Sequence, residues 1–154
     1  MADRFRGRII VGGEVPKAKV KQIFVAASGV EIKPALDDIL AGSMPYLEME
    51  DLELAMGEFD DLEDFLERER IPFVRYSDGY ADYRPERVVF RPDQGYDNAF
   101  SEQVTEDGFL DGVTVQEVRD IRKALDEGNT GQVKAMLDEL LPLEMPELPR
   151  FTVT

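Results

Sequence analysis

The sequence predicts an α+β fold: a small mixed or antiparallel sheet with helices on one face, in the general style of ferredoxin-like architectures, followed by a C-terminal αα-hairpin. Three observations carry that expectation. Short β-branched and aromatic runs alternate with stretches of helical period in the order β-α-β-α-β-β. Two S/T/D-x-x-E patterns, at Asp60-Glu63 and Thr114-Glu117, mark helix starts. Three prolines then keep the end of the chain out of helix. At 154 residues and 43% apolar composition, a real core can be enclosed without metal or disulfide staples. Residues 1–141 are therefore expected to form one domain and 142–154 an extended tail.

Arg8-Ile9-Ile10-Val11 reads as a strand closed by Gly12-Gly13, and Pro16 suits the first turn of the helix that follows. Val20, Ile23, Phe24 and Ala27 share one face of that helix, with Gly29 as its stop. Leu36, Ile39 and Leu40 after Pro34 give a second short helix ending at Gly42. Tyr46 to Leu54 reads as a strand whose alternation breaks near Glu50-Asp51, which fits a bulge or an edge position. Phe59, Leu62, Phe65 and Leu66 then form the apolar stripe of a helix running to about Arg70.

Phe73–Ser77 and Arg87–Arg91 form a hairpin, and residues 92–113, rich in Gly, Asp and Asn, read as a long loop. In the C-terminal hairpin, Val115, Val118, Ile121 and Leu125 line one helix and Val133, Met136, Leu137, Leu140 and Leu141 the other, with Leu137 expected to be buried. Beyond Pro142, Leu148 and Phe151 offer apolar anchors, so the tail is expected to add to an edge of the protein's own sheet.

Composition removes several function classes. Without cysteine there are no disulfides, thiolate metal sites or cysteine nucleophiles; without histidine the Ser-His-Asp and Cys-His mechanisms are excluded. Catalysis would have to use carboxylates, Lys, Tyr, Ser or Thr, so a non-catalytic protein without cofactor or metal is expected. Lys17, Lys19 and Lys21 interrupt the one apolar candidate near the start, and no membrane span is visible. A cytoplasmic setting follows as the expectation.

The net charge of −15 is unevenly distributed. Residues 1–33 carry seven bases (Arg4, Arg6, Arg8, Lys17, Lys19, Lys21, Lys33) against Asp3, Glu14 and Glu31, a net +4. Residues 48–69 carry eleven acids against Arg68 alone, a net −10. An electric dipole is expected. Within the acidic segment, Asp60, Glu63, Asp64 and Glu67 fall at i, i+3, i+4 and i+7, lining one helix face opposite the apolar stripe. Like charges at this spacing repel by a few tenths of a kcal/mol per pair, which a basic partner relieves. Glu58, Asp60, Asp61, Glu63, Asp64 and Glu67 are therefore the candidate partner-binding residues. The competing reading is an ordinary solvated helix face.

A second candidate is the hairpin, where Tyr76, Tyr80 and Tyr83 interleave with Arg75, Arg84, Arg87 and Arg91, a chemistry that can hold single-stranded nucleic acid. The negative field of the chain opposes a polyanion, and arginines pairing local acids is the competing reading. Gly12-Gly13-Glu14-Val15-Pro16-Lys17 lacks the spacing of a P-loop, and Glu31-Ile32-Lys33 matches a nuclease spacing without the partner Asp. Asp93 and Asp97 lack the remaining ligands of an EF-hand.

The leading expectation is an acidic binding or inhibitory protein that engages a basic, nucleic-acid-binding protein by imitating phosphates, in the manner of anti-defence inhibitors carried by phages or other mobile elements, with no direct binding of nucleic acid. The alternatives are a scaffold or assembly subunit working through the C-terminal hairpin or tail, and a metal-dependent enzyme with carboxylate ligands.

Overall fold

The computed structural model describes residues 3–32, 36–42, 44–80, 82–104, 114–140 and 147–154. The chain divides into two compact units, Met1–Phe109 with Leu148–Thr154, and Leu110–Glu147. Lys33, Pro34, residues 105–113, Leu141 and Pro142 lie outside the described residues.

The first unit is an α+β structure. In chain order it contains β1 (Arg4–Val11), β2 (Glu14–Val15), α1 (Lys17–Ala26), β3 (Glu31–Ile32), α2 (Leu36–Leu40), β4 (Leu47–Ala55), α3 (Asp60–Arg68), β5 (Phe73–Ser77), β6 (Glu86–Phe90), a 3-10 turn at Pro92–Gln94, β7 (Phe100–Gln103) and β8 (Thr152–Val153). The main sheet is antiparallel, in the order β3-β4-β1-β5-β6-β7, with β3 contributing two residues. Because β1 runs antiparallel to both β4 and β5, those two strands are parallel to each other, and β4-α3-β5 is a split β-α-β unit with β1 inserted.

Register decides which face is covered. Ile9 opposes Met49 on one side and Arg75 on the other, Val11 opposes Leu47 and Phe73, and Phe73 opposes Phe90. All the apolar members of this set are fully buried together with Val20 and Ile23 of α1 and Leu62, Phe65 and Leu66 of α3. The pleat sends the intervening residues Arg8, Glu48, Glu50, Tyr76, Arg87 and Glu102 to the opposite face.

The interruption foreseen near Glu50-Asp51 is real: Gly7 opposes Asp51 while Phe5 opposes Leu54, so β4 holds one extra residue. β4 is flanked by β1 and by the short β3, and is not an edge strand over its whole length. The expected loop 92–113 contains a strand, β7, which pairs with β6 at the sheet edge. Its residues, Phe100-Ser101-Glu102-Gln103, are mostly polar because an edge strand is only half covered, and polar strands carry little periodic signal.

The tail docks inside the first unit, although against β2 and not against the main sheet. β8 runs parallel to β2, with Thr152 N donating to Gly13 O at 2.9 Å and Thr154 N to Val15 O at 3.0 Å. Gly13 N donates to Pro149 O at 3.0 Å, and Phe151 N donates to Pro45 O at 2.7 Å. A Cβ on Gly12 would lie 2.2 Å from Pro149 O, so this close approach requires glycine. Phe151, 3% exposed, belongs to the main core.

The second unit consists of α4 (Val115–Asp126) and α5 (Thr130–Leu140). The Thr114-Glu117 capping box is present in both directions, with Glu117 N donating to Thr114 Oγ1 at 3.2 Å and Thr114 N to Glu117 Oε2 at 2.7 Å. Those bonds to Thr114 hold the Glu117 carboxyl below its usual range. The expected burial of Leu137 is wrong: it is 43% exposed, and Ala124 is the buried residue among those described in the two helices. Two helices share one interface, and successive residues project about 100° apart, so Ala124 can face inward while Leu125 does not.

Removing the Phe151 side chain by Phe151→Ala should cost about 3 to 5 kcal/mol, and deleting residues 147–154 should lower the melting temperature in urea or thermal denaturation followed by circular dichroism. Unchanged melting in both would show that the tail contributes nothing to the first unit.

Candidate functional site

α3 starts from a forced turn. After β4 the chain passes through Met56 (φ 54°) and Gly57 (φ 67°), and a Cβ on Gly57 would lie 2.8 Å from the Ser77 Cβ and 2.9 Å from the Phe5 ring. Only glycine combines that left-handed conformation with that closeness. Its carbonyl accepts a hydrogen bond from Ser77 Oγ at 2.9 Å, which pins the turn to β5.

Asp60 does not cap the helix as expected. The N-cap is Phe59, and Glu63 reaches back to accept from Phe59 N at 2.9 Å. Asp60, Asp61 and Glu63 nonetheless place three carboxylates in the first turn, where the exposed N–H groups and the helix dipole favour negative charge. The helix closes at Arg70 (φ 56°), with Ile71 N donating to Leu66 O at 2.8 Å.

Glu63 leaves the expected acidic face altogether. Its Oε1 lies 2.7 Å from Nε of Arg75, whose side chain is 4% exposed on the covered face of β5. The Arg75 N–H at Nε is not aligned for a hydrogen bond, so the contact is an ion pair held by proximity. Arg75 also lies 3.4 Å from Glu86 of β6 and donates to Ser77 Oγ. Glu63 sits at the margin of the buried stripe, one turn from Leu66 and Phe59, and a buried cation draws it inward.

The remaining acids of the segment differ in whether a base answers them. On β4, Glu48 pairs with Arg8 at 3.7 Å and Glu50 with Arg6, while beyond α3 Glu69 pairs with Lys19. Asp60, Asp61, Asp64 and Glu67 are exposed, and none of them is in an ion pair among the described residues. β1 lies beside β4, so part of the basic charge of residues 1–33 is spent on Glu48 and Glu50 of the acidic segment. Asp51 and Glu53 of β4 and Glu58 are in no ion pair among the described residues either, while four further uncompensated acids share the outer face of α3.

Glu58 stands apart from this row and lines a cleft of about 400 Å³ with Phe5, Met56, Ser77, Tyr83 and Glu86. Partial burial raises its carboxyl above the ordinary glutamate value; nearby Arg75 lowers it, and Asp60, Glu63 and Glu86 raise it further. Partial burial also raises Glu67, with the charges of Glu63 and Asp64 adding to the shift.

The aromatic and basic hairpin surface is largely self-neutralised. Arg75 is internal, Arg87 pairs with Glu102, and Arg91, 2% exposed, pairs with Asp93 at 2.8 Å. That bond to Arg91 holds the Asp93 carboxyl below its usual range. Tyr76 carries the Arg8 guanidinium 5.1 Å above its ring. Tyr80, Tyr83 and Arg84 remain on the surface, too few to track a strand of bases. Asp97 of the former calcium-loop fragment pairs with Arg70 at 3.1 Å. Among the described residues no three acidic side chains converge as a metal site, and no helix is long and apolar enough to cross a membrane. Compared with known proteins, the chain matches no family model, no curated protein and no solved structure.

Two predictions follow from this geometry. Arg75→Ala strands Glu63 beside the core and should destabilise the protein by about 3 to 5 kcal/mol, whereas Arg75→Met combined with Glu63→Gln, which keeps the Phe59 bond, should recover most of the loss. Equal stability of wild type and Arg75→Ala in urea denaturation would remove the ion pair as a structural element.

For Glu67, a folded pKa above the unfolded one means that its charged form is disfavoured in the folded state. The resulting destabilisation is present at neutral pH and is relieved as pH falls through the raised value. Glu67→Gln should thus be at least as stable as wild type at neutral pH, with the two curves converging in acid. NMR carboxyl titration should place the Glu58 and Glu67 midpoints above the ordinary glutamate value.

Proposed function

We propose that this protein is a non-catalytic binding protein that presents the outer face of α3 to a basic surface of another protein, and that the partner is a nucleic-acid-binding protein whose phosphate site this face occupies. The observation that carries the reading is selective neutralisation. Arginines or lysine answer Glu48, Glu50, Glu63 and Glu69, while Asp60, Asp61, Asp64 and Glu67 stand exposed and unpaired along one helix. Their mutual repulsion is relieved when cations from a partner come between them.

Spacing supports the mimicry. At a rise of about 1.5 Å per residue, Asp60, Asp64 and Glu67 recur every ~4.5 to 6 Å along the axis, wider than the ~3.4 Å of duplex axis per phosphate along one strand but of the same order. The cleft beside Glu58 offers a carboxylate next to apolar walls from Phe5 and Met56, suited to the aliphatic stem and charged head of a partner's Arg or Lys. Blocking a nucleic-acid site in this way is an inhibitory function, and carriage by a phage or other mobile element fits such a role.

Glu63 is excluded from the test set because it holds Arg75. The variant Asp60→Asn, Asp61→Asn, Asp64→Asn and Glu67→Gln should fold like wild type. Affinity capture from the native host should recover a nucleic-acid-binding protein with wild type, lose it with the variant, and lose it in about 1 M salt, where the Debye length is ~3 Å. Duplex DNA should compete. Recovery of the same protein by the neutralised variant, or recovery indifferent to salt, would show that the row is a solvated helix face.

A further inference from the structure

The second unit carries an apolar surface that its own helices leave open. In α4, Val115 is 68% exposed, Val118 53% and Leu125 58%. With Arg122 these residues occupy positions 115, 118, 122 and 125, a 3-4-3 spacing that reproduces the a and d positions of a heptad. Such spacing makes a straight seam along one side of a helix, complementary to a second helix. A cleft or a sheet edge would match it less well. Scattered exposed apolar residues need no explanation, but three on one line of a single helix form a patch.

Charge narrows the occupant. Arg122 stands within the seam and Arg119 on its flank; both are exposed, and neither is in an ion pair among the described residues. Lys123, on another side of α4, is taken by Glu127. In a chain of net charge −15, two uncommitted arginines on an apolar seam are out of keeping with the rest of the surface. Asp126 lies near the C-terminal end of the same flank, so the basic character belongs to the first two turns.

From these placements we propose that the exposed face of α4 is a docking seam for an amphipathic helix of another protein that carries acidic residues against Arg119 and Arg122. The proposal is separate from the reading of α3, which concerns the opposite sign of charge and another element. Apolar side chains of the incoming helix cover Val115, Val118 and Leu125, and its carboxylates meet the guanidinium groups in two-pronged hydrogen bonds.

The test uses the full chain and two synthetic peptides. Both span three heptads with Leu at every d and at every a except the central one; one carries Glu at e, at g and at that central a position, the other Lys at those places. With the α3 acids neutralised (Asp60→Asn, Asp61→Asn, Asp64→Asn, Glu67→Gln) so that the Lys peptide is not drawn to that face, fluorescence anisotropy should show the Glu peptide binding roughly tenfold or more tighter than the Lys peptide, a preference that is lost on adding Arg119→Glu and Arg122→Glu. Val118→Ala with Leu125→Ala should abolish binding and leave the melting temperature of the free protein unchanged.

Three results would overturn the proposal. Equal or absent binding of both peptides would remove the acidic helix as occupant. A lower melting temperature for the double alanine variant would show that the chain covers its own seam. Dimeric wild type in sedimentation, made monomeric by that variant, would make a second copy the occupant.

Discussion

A buried guanidinium sets the conditions for the rest of the first unit. Arg75 projects from the covered face of β5 into a position where apolar neighbours such as Phe73 and Val88 cannot neutralise it. An isolated charge there costs several kcal/mol, so carboxylates must come to it. Glu63 arrives from α3, Glu86 from β6, and the Ser77 hydroxyl links the group to the Gly57 carbonyl. One side chain thus ties the helix, two strands and the turn that launches the helix. It fixes the rotation of α3 about its axis: with Glu63 held inward and Leu62, Phe65 and Leu66 buried, Asp60, Asp64 and Glu67 have only the outer face left to them.

The two units solve the problem of burial differently. The first encloses a core between one sheet face and α1 and α3, and Phe151, from the segment that carries β8, belongs to that core. The second is a helix pair with one buried alanine among its described residues, carrying the Thr114 cap and exposed i,i+4 pairs such as Lys123–Glu127 at 4.0 Å and Lys134–Asp138 at 3.5 Å. Exposed pairs of that kind contribute a few tenths of a kcal/mol each. Two short helices gain most of their stability from tertiary contact, and this pair leaves much of its apolar surface uncovered.

Elements whose signals are local were legible from the residues. The strand and helix around Gly12-Gly13, the α3 stripe, the β5-β6 hairpin and the Thr114 cap all rest on neighbours within a few positions, and all are present. β7 was missed because a polar edge strand has no alternation to detect. The partition of the acids was missed for a deeper reason: the charge of a segment can be counted along the chain, but neutralisation depends on which strands lie side by side. Nothing near Arg6 or Arg8 in sequence says that β4 will be their neighbour, and so a charge count along the chain cannot tell that Glu48 and Glu50 are answered across one strand pair. Arg75 did carry a faint signal. It shares the pleat face of Phe73, and an arginine in register with a core phenylalanine has to be paired.

Pairing and exposure together separate the charges that hold the fold from those left over. An acid that answers a buried or cross-strand base is accounted for by the structure of this chain, and changing it disturbs the fold, as Glu63 would. An acid that answers nothing, and whose carboxyl is raised by partial burial and then by like-charged neighbours, as Glu67 is beside Glu63 and Asp64, costs the folded state a little free energy. Favourable placement of Asp60 and Asp61 at the helix N-terminus offsets part of that cost, but Glu67 lies at the other end, where the dipole disfavours it. The α3 row therefore includes at least one charge that the fold disfavours, and an external cation placed beside it would offset both its partial burial and the repulsion from its neighbours.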